Sequence, residues 1–385
     1  MASGFDVERT YPGRGGDASL LAGAALLFGT GLAVLYSASY GYALSLQKPA
    51  AHFLVRQLGY APLAFLVFLV CAFLPVERLR SLVKPLTLIA LASLVLPFIP
   101  GIGVNRNGAT RWIGIGSRTF QPSQVFRVSL ILYLAYIFSK KSERIRDVVN
   151  SALPPLLITA IGTVLIFLQN DFSTAAILVL IAAALFWVAE VPGLFFAALA
   201  TILAPLTALS VLTSDFRLRR IIGFLYPGFE PTALGYQVNG SLRAIRAGGL
   251  WGKGLGLGTL KLTSIPEVQS DFVFAAFAEE SGLLGVLAFL GIWGFFLWRA
   301  YNTAFRNQDR FRSYLAFGLA TSMAVQVLVN IAVAAGVLPA TGIPLPFYSA
   351  GGSSFLETAA ACGLLYNLSR GGGDARPDNL EASHG

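Results

Sequence analysis

In the segment "SIPEVQSDFVFAAFAEESGLLG" (residues 264–285), Asp271 stands at the lip of an apolar run, with Glu279 and Glu280 inside it. A carboxylate at the mouth of such a run can stay ionised and accept a proton, which is the work of a general base. Spacing alone also allows Ser270 or Asp271 to cap the helix that starts near Phe272. Capping and catalysis are compatible, because a cap faces the mouth of the bundle. Glu279 follows Asp271 by eight residues, about 12 Å deeper and 80° around a helix, with Glu280 on the opposite side. The two glutamates cannot share one cavity, so they read as structural, paired with an arginine of the bundle.

Cations could complement such an acid. Arg111 and Arg118 lie in "GIGVNRNGATRWIGIGSRTFQPSQ", and Arg127 falls just inside the apolar run that follows. An arginine within a span must face protein or water, whereas loop arginines also suit lipid headgroups. Asp171, in "LQNDFSTA", occupies a tight turn between two apolar runs, where an Asn-Asp pair also serves as a turn former. Lys253, in "GGLWGKGLGLGTLKL", resembles a phosphate-loop lysine. That reading fails: Ala247 stands where the first glycine is needed, and Gly254 where Ser or Thr should follow. What remains reads as a flexible glycine hinge carrying one lysine.

These residues are held by a chain that is 55% hydrophobic and 12% charged over 385 residues, with mean hydropathy +0.68. Soluble domains carry about 25% charged residues, and a membrane span needs about 20 apolar ones. Ten runs qualify: 20–40, 57–74, 84–100, 124–138, 151–169, 173–189, 194–213, 272–298, 313–337 and 353–368. Their continuity excludes a β-barrel and predicts an all-α polytopic membrane protein. A polar start (1–19) precedes the spans (20–368), and the Gly-, Pro- and charge-rich tail (369–385) reads as disordered. "SAS" at 37–39 faintly resembles a signal-peptidase site, but the many spans that follow make the first a retained anchor.

With both termini placed in the cytoplasm, the short cytoplasmic loops hold eleven Lys/Arg against five in the short external loops. This follows the positive-inside rule, although the long loop 214–271 adds seven to the outside. The net charge of +9 is then a matter of topology and headgroups, and nucleic acid is not implied. External loops 101–123 and 214–271 are the long ones, and long loops are usually functional or disordered. "FRLRRIIGFLYPGFE" and "GYQVNGSLRAIRAGG" have the spacing of amphipathic surface helices. Cys71 and Cys362 fall in different spans and read as small core residues. The only histidines are His52 and His384, which excludes an HExxH zinc site. An outward carboxylate, several cations and long loops suit an anionic, lipid-linked substrate, without separating catalysis from transport.

Five ordered motifs carry a resemblance. "RWIGIGSRTFQPSQ" is similar to R-W-I-x-x-G-x-x-x-x-Q-P-S-E, and "LQNDFSTA" to Q-P-D-x-G-T-A. "GYQVNGSLRAIRAGGLWGKGLGLG" resembles a glycine-rich external stretch, and "IPEVQSDFVFAAFAEESGLLG" resembles P-E-x-x-T-D-F-I-F-A-x-x-x-E-E-x-G. "LPATGIPLPFYSAGGSSF" matches P-x-T-G-x-x-L-P-x-x-S-x-G-G-S-S. On these the chain resembles the SEDS family (shape, elongation, division and sporulation), bacterial membrane glycosyltransferases that polymerise peptidoglycan.

The resemblance implies that Asp271 is the essential carboxylate, acting as base on lipid II at the outer face of the plasma membrane. Arg111, Arg118, Arg127 and Lys253, with Gln124 and Asp171, would form the substrate-binding set. It also implies a class B penicillin-binding protein as partner. It fixes no cofactor. A divalent cation, Mg or Mn, is compatible with a pyrophosphate, but the sequence has too few clustered acids to argue for one. Gln124 and Arg127 stand where the family usually has glutamate and lysine, and Asn170 and Ala350 replace a proline and an aromatic. A lipid II transporter and a non-catalytic scaffold for the cross-linking enzyme are the competing readings.

Overall fold

The computed structural model describes residues 15–106, 108–116, 118–141, 148–197, 199–201, 233–263 and 268–371, with isolated positions 212, 218, 222 and 224. The chain runs through α1 (Ala18–Ser45), α2 (His52–Leu58), α3 (Ala61–Phe73) and α4 (Val76–Ser93). Strands β1 (Gly103–Arg106), β2 (Ala109–Ile115) and β3 (Arg118–Phe120) follow, then α5 (Pro122–Lys141), α6 (Val148–Ser151), α7 (Leu153–Leu168) and α8 (Phe172–Val188). The second half contains α9 (Ala233–Gly248), α10 (Leu260–Thr263), α11 (Val273–Arg306), α12 (Arg310–Ala334) and α13 (Gly352–Arg370).

Among the described residues, six helical stretches are long and apolar enough to cross a membrane, and α7 and α8 are shorter apolar helices. The all-α reading holds. Of the seventh run, 194–213, only 194–197, 199–201 and 212 are described; the surface helix expected over "FRLRRIIGFLYPGFE" lies mostly outside the described residues, and the tail from 372 wholly so. The second surface helix is α9. One element was not anticipated: loop 101–123 folds into an antiparallel sheet of order β1-β2-β3, pairing Val104 with Trp112 and Ile113 with Phe120.

Aspartates begin three helices. Asp17 accepts the N–H groups of Ser19 (2.9 Å) and Leu20 (3.2 Å), Asp171 that of Thr174 (3.3 Å), and Asp309 that of Arg312 (2.9 Å). Each satisfies orphan donors of a first turn. Helices α5 and α12 are interior, and α12 packs on α5, α8 and α11. The other candidate spans turn mostly outward, with Phe65, Ile89, Leu287 and Trp298 exposed. Apolar side chains can face out where the surroundings are hydrocarbon.

Helices α1 and α11 run side by side, joined by a polar clamp near each end. At one clamp Arg299 donates to Asp17, through Nε at 2.8 Å and also through Nη2. At the other, Ser37 donates to Glu280 at 2.6 Å. Positions 17 and 37 are twenty residues apart, about 30 Å of helix. Positions 280 and 299 are nineteen apart, about 28 Å. The hydrocarbon layer of a bilayer is about 30 Å thick, so the clamps bracket a membrane-thick slab. The glutamates of α11 are therefore at its edge, not its middle.

Beyond the Asp17 clamp lies a cleft of about 460 Å³ lined by Arg80, Tyr136, Lys140, Asp309 and Arg310. It occupies the end of the bundle opposite Asp271. There burial pushes the Asp309 carboxyl up, but the Arg80 guanidinium and the Arg312 N–H outweigh it and leave the group below the usual range.

Helix α11 breaks at Gly282, where φ is +63° and ψ −166°. A break strands backbone groups in an apolar setting, where each needs a partner. The glycine segment 249–258 supplies them. Lys253 N–H donates to Glu279 O (3.1 Å) and Gly254 N–H to Glu280 O (3.0 Å). In return Leu283 and Leu284 donate to Gly249 O (2.9 Å) and Leu250 O (3.3 Å). The expected mobile hinge is thus a fixed strap, in which Gly252 and Gly258 serve close approach to α11. A Cβ on Gly252 would lie 2.1 Å from Glu280 O, at a φ of +77°. Gly252→Ala should therefore lower the melting temperature in detergent well beyond Gly256→Ala. The latter has a similar φ in open space and should cost only about 1–2 kcal/mol. Equal shifts would show that the strap gives way freely.

Candidate active site

Asp271 lies in a short non-helical stretch just before α11, and two segments far apart in sequence hold its backbone in place. Asn330 on α12, 1% exposed, donates from Nδ2 to Asp271 O (3.1 Å) and to Ile343 O (2.8 Å). Ser349 donates to Ser270 O (2.5 Å) while accepting Leu345 N–H (2.8 Å), and Ala350 N–H reaches Gln269 O (2.9 Å). Each backbone group bonded here is one that a non-helical stretch would otherwise leave unpaired. The helix cap falls on Phe272, which makes no side-chain cap hydrogen bond. The helix thus begins one residue beyond Asp271, and the turn before it is closed from α12 and from 340–351.

The Asp271 residue is half-buried and its carboxylate faces Gly342. A Cβ at that glycine, whose φ is +72°, would come within 3.5 Å of Oδ2. The next residue back, Thr341, accepts a 2.6 Å hydrogen bond from Ser173 in the first turn of α8. Asp271 and the Asp171 turn are thus neighbours across one strand of loop.

Asp171 is buried and fully engaged. Its Oδ1 takes Arg111 Nη1 at 3.1 Å and its Oδ2 takes Gln121 Nε2 at 2.9 Å. Arg111 remains partly exposed and stacks on Trp112 at 4.3 Å, on the strand that carries both. From Gln121 the chain of contacts turns inward: Gln124 Nε2 donates to Gln121 Oε1 (3.3 Å), and Arg127 Nη2 bonds both Gln124 Oε1 and Glu357 Oε2. Arg127 and Glu357 are both buried. Arg127, expected among the groups that touch substrate, is directed into the protein, joining α5 to α13. The side chain of Arg118, at the start of β3, lies outside the described residues.

The two glutamates of α11 are paired with lysines, where the sequence pointed to an arginine. Glu279 accepts Lys253 Nζ (2.8 Å) and the N–H groups of Thr259 (2.9 Å), Leu260 (3.0 Å) and Lys261 (3.2 Å), closing the start of α10. Glu280 binds Lys261 Nζ, which also donates to Ser37 O (2.7 Å) and rests 4.6 Å from the Tyr40 ring. Lys253, expected as a substrate cation, is thereby fixed while staying about one-third exposed. Sequence reading missed Asn330, Ser349, Gln121, Lys261 and Glu357. Glu357 did leave a signal, since two lone opposite charges in different spans, Arg127 and Glu357, need partners. Among the described residues no three His, Cys, Asp or Glu side chains gather as a metal cluster.

Breaking a buried ion pair from one side costs about 3–5 kcal/mol, whereas replacing both partners with apolar groups is often near neutral. Glu357→Gln should therefore destabilise the protein in detergent more than the double change Arg127→Met with Glu357→Leu. The opposite order in thermal unfolding would mean that the pair carries no buried charge.

The model of the cell cycle protein family FtsW/RodA/SpoVE matches residues 18–372. The probable peptidoglycan glycosyltransferase FtsW of Borreliella burgdorferi is 36% identical over 346 residues, 90% of this chain and 94% of that protein. Its counterpart in Halorhodospira halophila is 37% identical over 92% of this chain and 91% of its own length. Among solved structures, a chain from a work on structural coordination of polymerization and crosslinking by a peptidoglycan synthase complex superposes with a TM-score of 0.76. It is 28% identical, covering 93% of this chain and 99% of that one. The rod shape determining protein RodA of Thermus thermophilus superposes at 0.67, also 28% identical, over 92% and 97%. A match over nearly the whole length, in sequence and in fold, makes this multi-pass membrane protein a member of the FtsW/RodA/SpoVE family.

Proposed function

We propose that this chain polymerises lipid II into glycan strands, with Asp271 as the general base. The chain is a peptidoglycan glycosyltransferase by its family and by relatives 33–37% identical over most of its length. The observation that carries the role of Asp271 is its setting. Its backbone is locked by Asn330 and Ser349, and its half-buried carboxylate lies against Gly342, at the lip of the apolar run.

In this reading the acceptor sugar hydroxyl forms a bond from its oxygen to the anomeric carbon of the donor. The bond from that carbon to the pyrophosphate oxygen breaks with its electron pair, and the hydroxyl proton passes to Asp271. A single displacement inverts the carbon and gives a β-linked strand. Negative charge grows on the departing pyrophosphate, so fixed cations favour the transition state. Arg111, steadied by Asp171, and Lys253, steadied by Glu279, are the described candidates, and Arg118 is a third on sequence grounds alone. Arg127 and Gln124 act through α13 and not on substrate. A divalent cation, Mg or Mn, would neutralise charge on the pyrophosphate if it enters with the substrate.

The same reading places the protein in the bacterial plasma membrane with both termini cytoplasmic and Asp271 outside. It pairs the chain with a class B penicillin-binding protein that cross-links the product. Support comes from the basic loops at the end opposite Asp271 and from the likeness to a peptidoglycan synthase complex.

Polymerisation of labelled lipid II with the partner present tests the assignment. Asp271→Asn should lower strand formation by about 10²–10⁴-fold, with the melting temperature and partner binding unchanged. Retention of the wild-type rate in folded protein would remove Asp271 as the base. Movement of lipid II across liposomes without polymer would favour a transporter.

A further inference from the structure

The glycine strap carries exposed apolar side chains that neither the fold nor the site uses: Trp251 is 80% exposed, Leu255 73% and Leu257 68%. Exposed apolar residues on a rigid loop mark a surface that something covers. Three observations fix what that is. First, the strap is bonded to α11 at residues 279–284, level with the Ser37–Glu280 clamp and so with one edge of the membrane-thick slab. Second, its apolar face continues onto Leu283, Leu284 and Leu287 of α11, which are exposed within the slab. Third, aromatic residues gather at both edges. At the far clamp an exposed Trp298 lies 5.4 Å from Arg299. At the near one are Trp251, the exposed Tyr36, and Tyr40, whose hydroxyl donates to Gly256 O at 3.0 Å. Tryptophan and tyrosine collect at membrane–water interfaces because one part of each ring system is apolar and another hydrogen-bonds to water or headgroups.

We propose that residues 249–258 are an interfacial anchor, seated at the headgroup boundary of a phospholipid bilayer. Trp251, Leu255 and Leu257 enter the apolar edge, and Lys253, held by Glu279, stays at phosphate level. A cation on that rim is attractive to anionic lipid. The strap is also the partner of the α11 break at Gly282, eleven residues after Asp271. Seating it in the interface therefore references the half-helix behind Asp271 to the plane of the membrane.

The test reads depth, not activity, so it stands apart from the proposed reaction. Full-length protein and Trp251→Phe are placed in vesicles of phosphatidylcholine and phosphatidylglycerol. The lipids carry bromine either near the carboxyl end or near the methyl end of the acyl chain. The difference in emission between the two proteins isolates Trp251 from the other four tryptophans. The expected result is a larger loss of Trp251 emission with shallow bromine than with deep bromine, and little loss with iodide in the water. Strong iodide quenching with inert bromolipids would place the loop in water and overturn the proposal. Equal or greater loss with deep bromine would place it inside the hydrocarbon and overturn it as well.

Discussion

A charge buried in an apolar bundle must have a partner, and the arrangement of this protein follows from how those partners are supplied. Asp171 has Arg111, Glu279 has Lys253, Glu280 has Lys261 and Glu357 has Arg127. Each pair joins separate elements: β2 to α8, the glycine strap to α11, α10 to α11, and α5 to α13. Such pairs contribute modest net stability, because desolvation offsets most of the Coulomb attraction. What they determine is which segments lie together, since a mispaired arrangement would leave a charge alone.

The turn carrying Asp271 is organised by the same economy applied to backbone groups. It has no regular structure of its own, so its carbonyls are satisfied by Asn330 and Ser349 and by the chain at 350. Those donors belong to α12 and to the loop leading into α13, and α13 is tied through Glu357 to α5. The carboxylate is therefore held by groups with no chemical part in the reaction. That rigidity matters for a base, whose efficiency depends on keeping a proton-transfer geometry.

Much of this was legible in the sequence, and the remainder has physical reasons for being hidden. Continuous apolar runs gave the helices, because a span is a local property of about 20 residues. The boundary of α4 was missed: Glu77, Arg78 and Arg80 interrupt the apolar run, yet the helix begins at Val76. The position of Asp271 was visible as an acid at the lip of a run. Its companions were not, because Asn330 and Ser349 are ordinary polar residues until the fold brings them 59 and 79 positions back to the turn. Gly252 and Gly258 looked like freedom and are in fact contact, since a glycine needed for close approach and one needed for motion read alike. The sheet in 101–123 was obscured by its short, glycine-rich strands.

The most direct measurement of the central claim is the pH dependence of strand formation in a single turnover with saturating lipid II and partner. A base that must be ionised predicts an acid limb of unit slope in the carboxylate range, displaced by Asp271→Glu, with no matching loss of folded protein. A rate that stays flat through that range, or a limb that Asp271→Glu leaves where it was, would contradict the account.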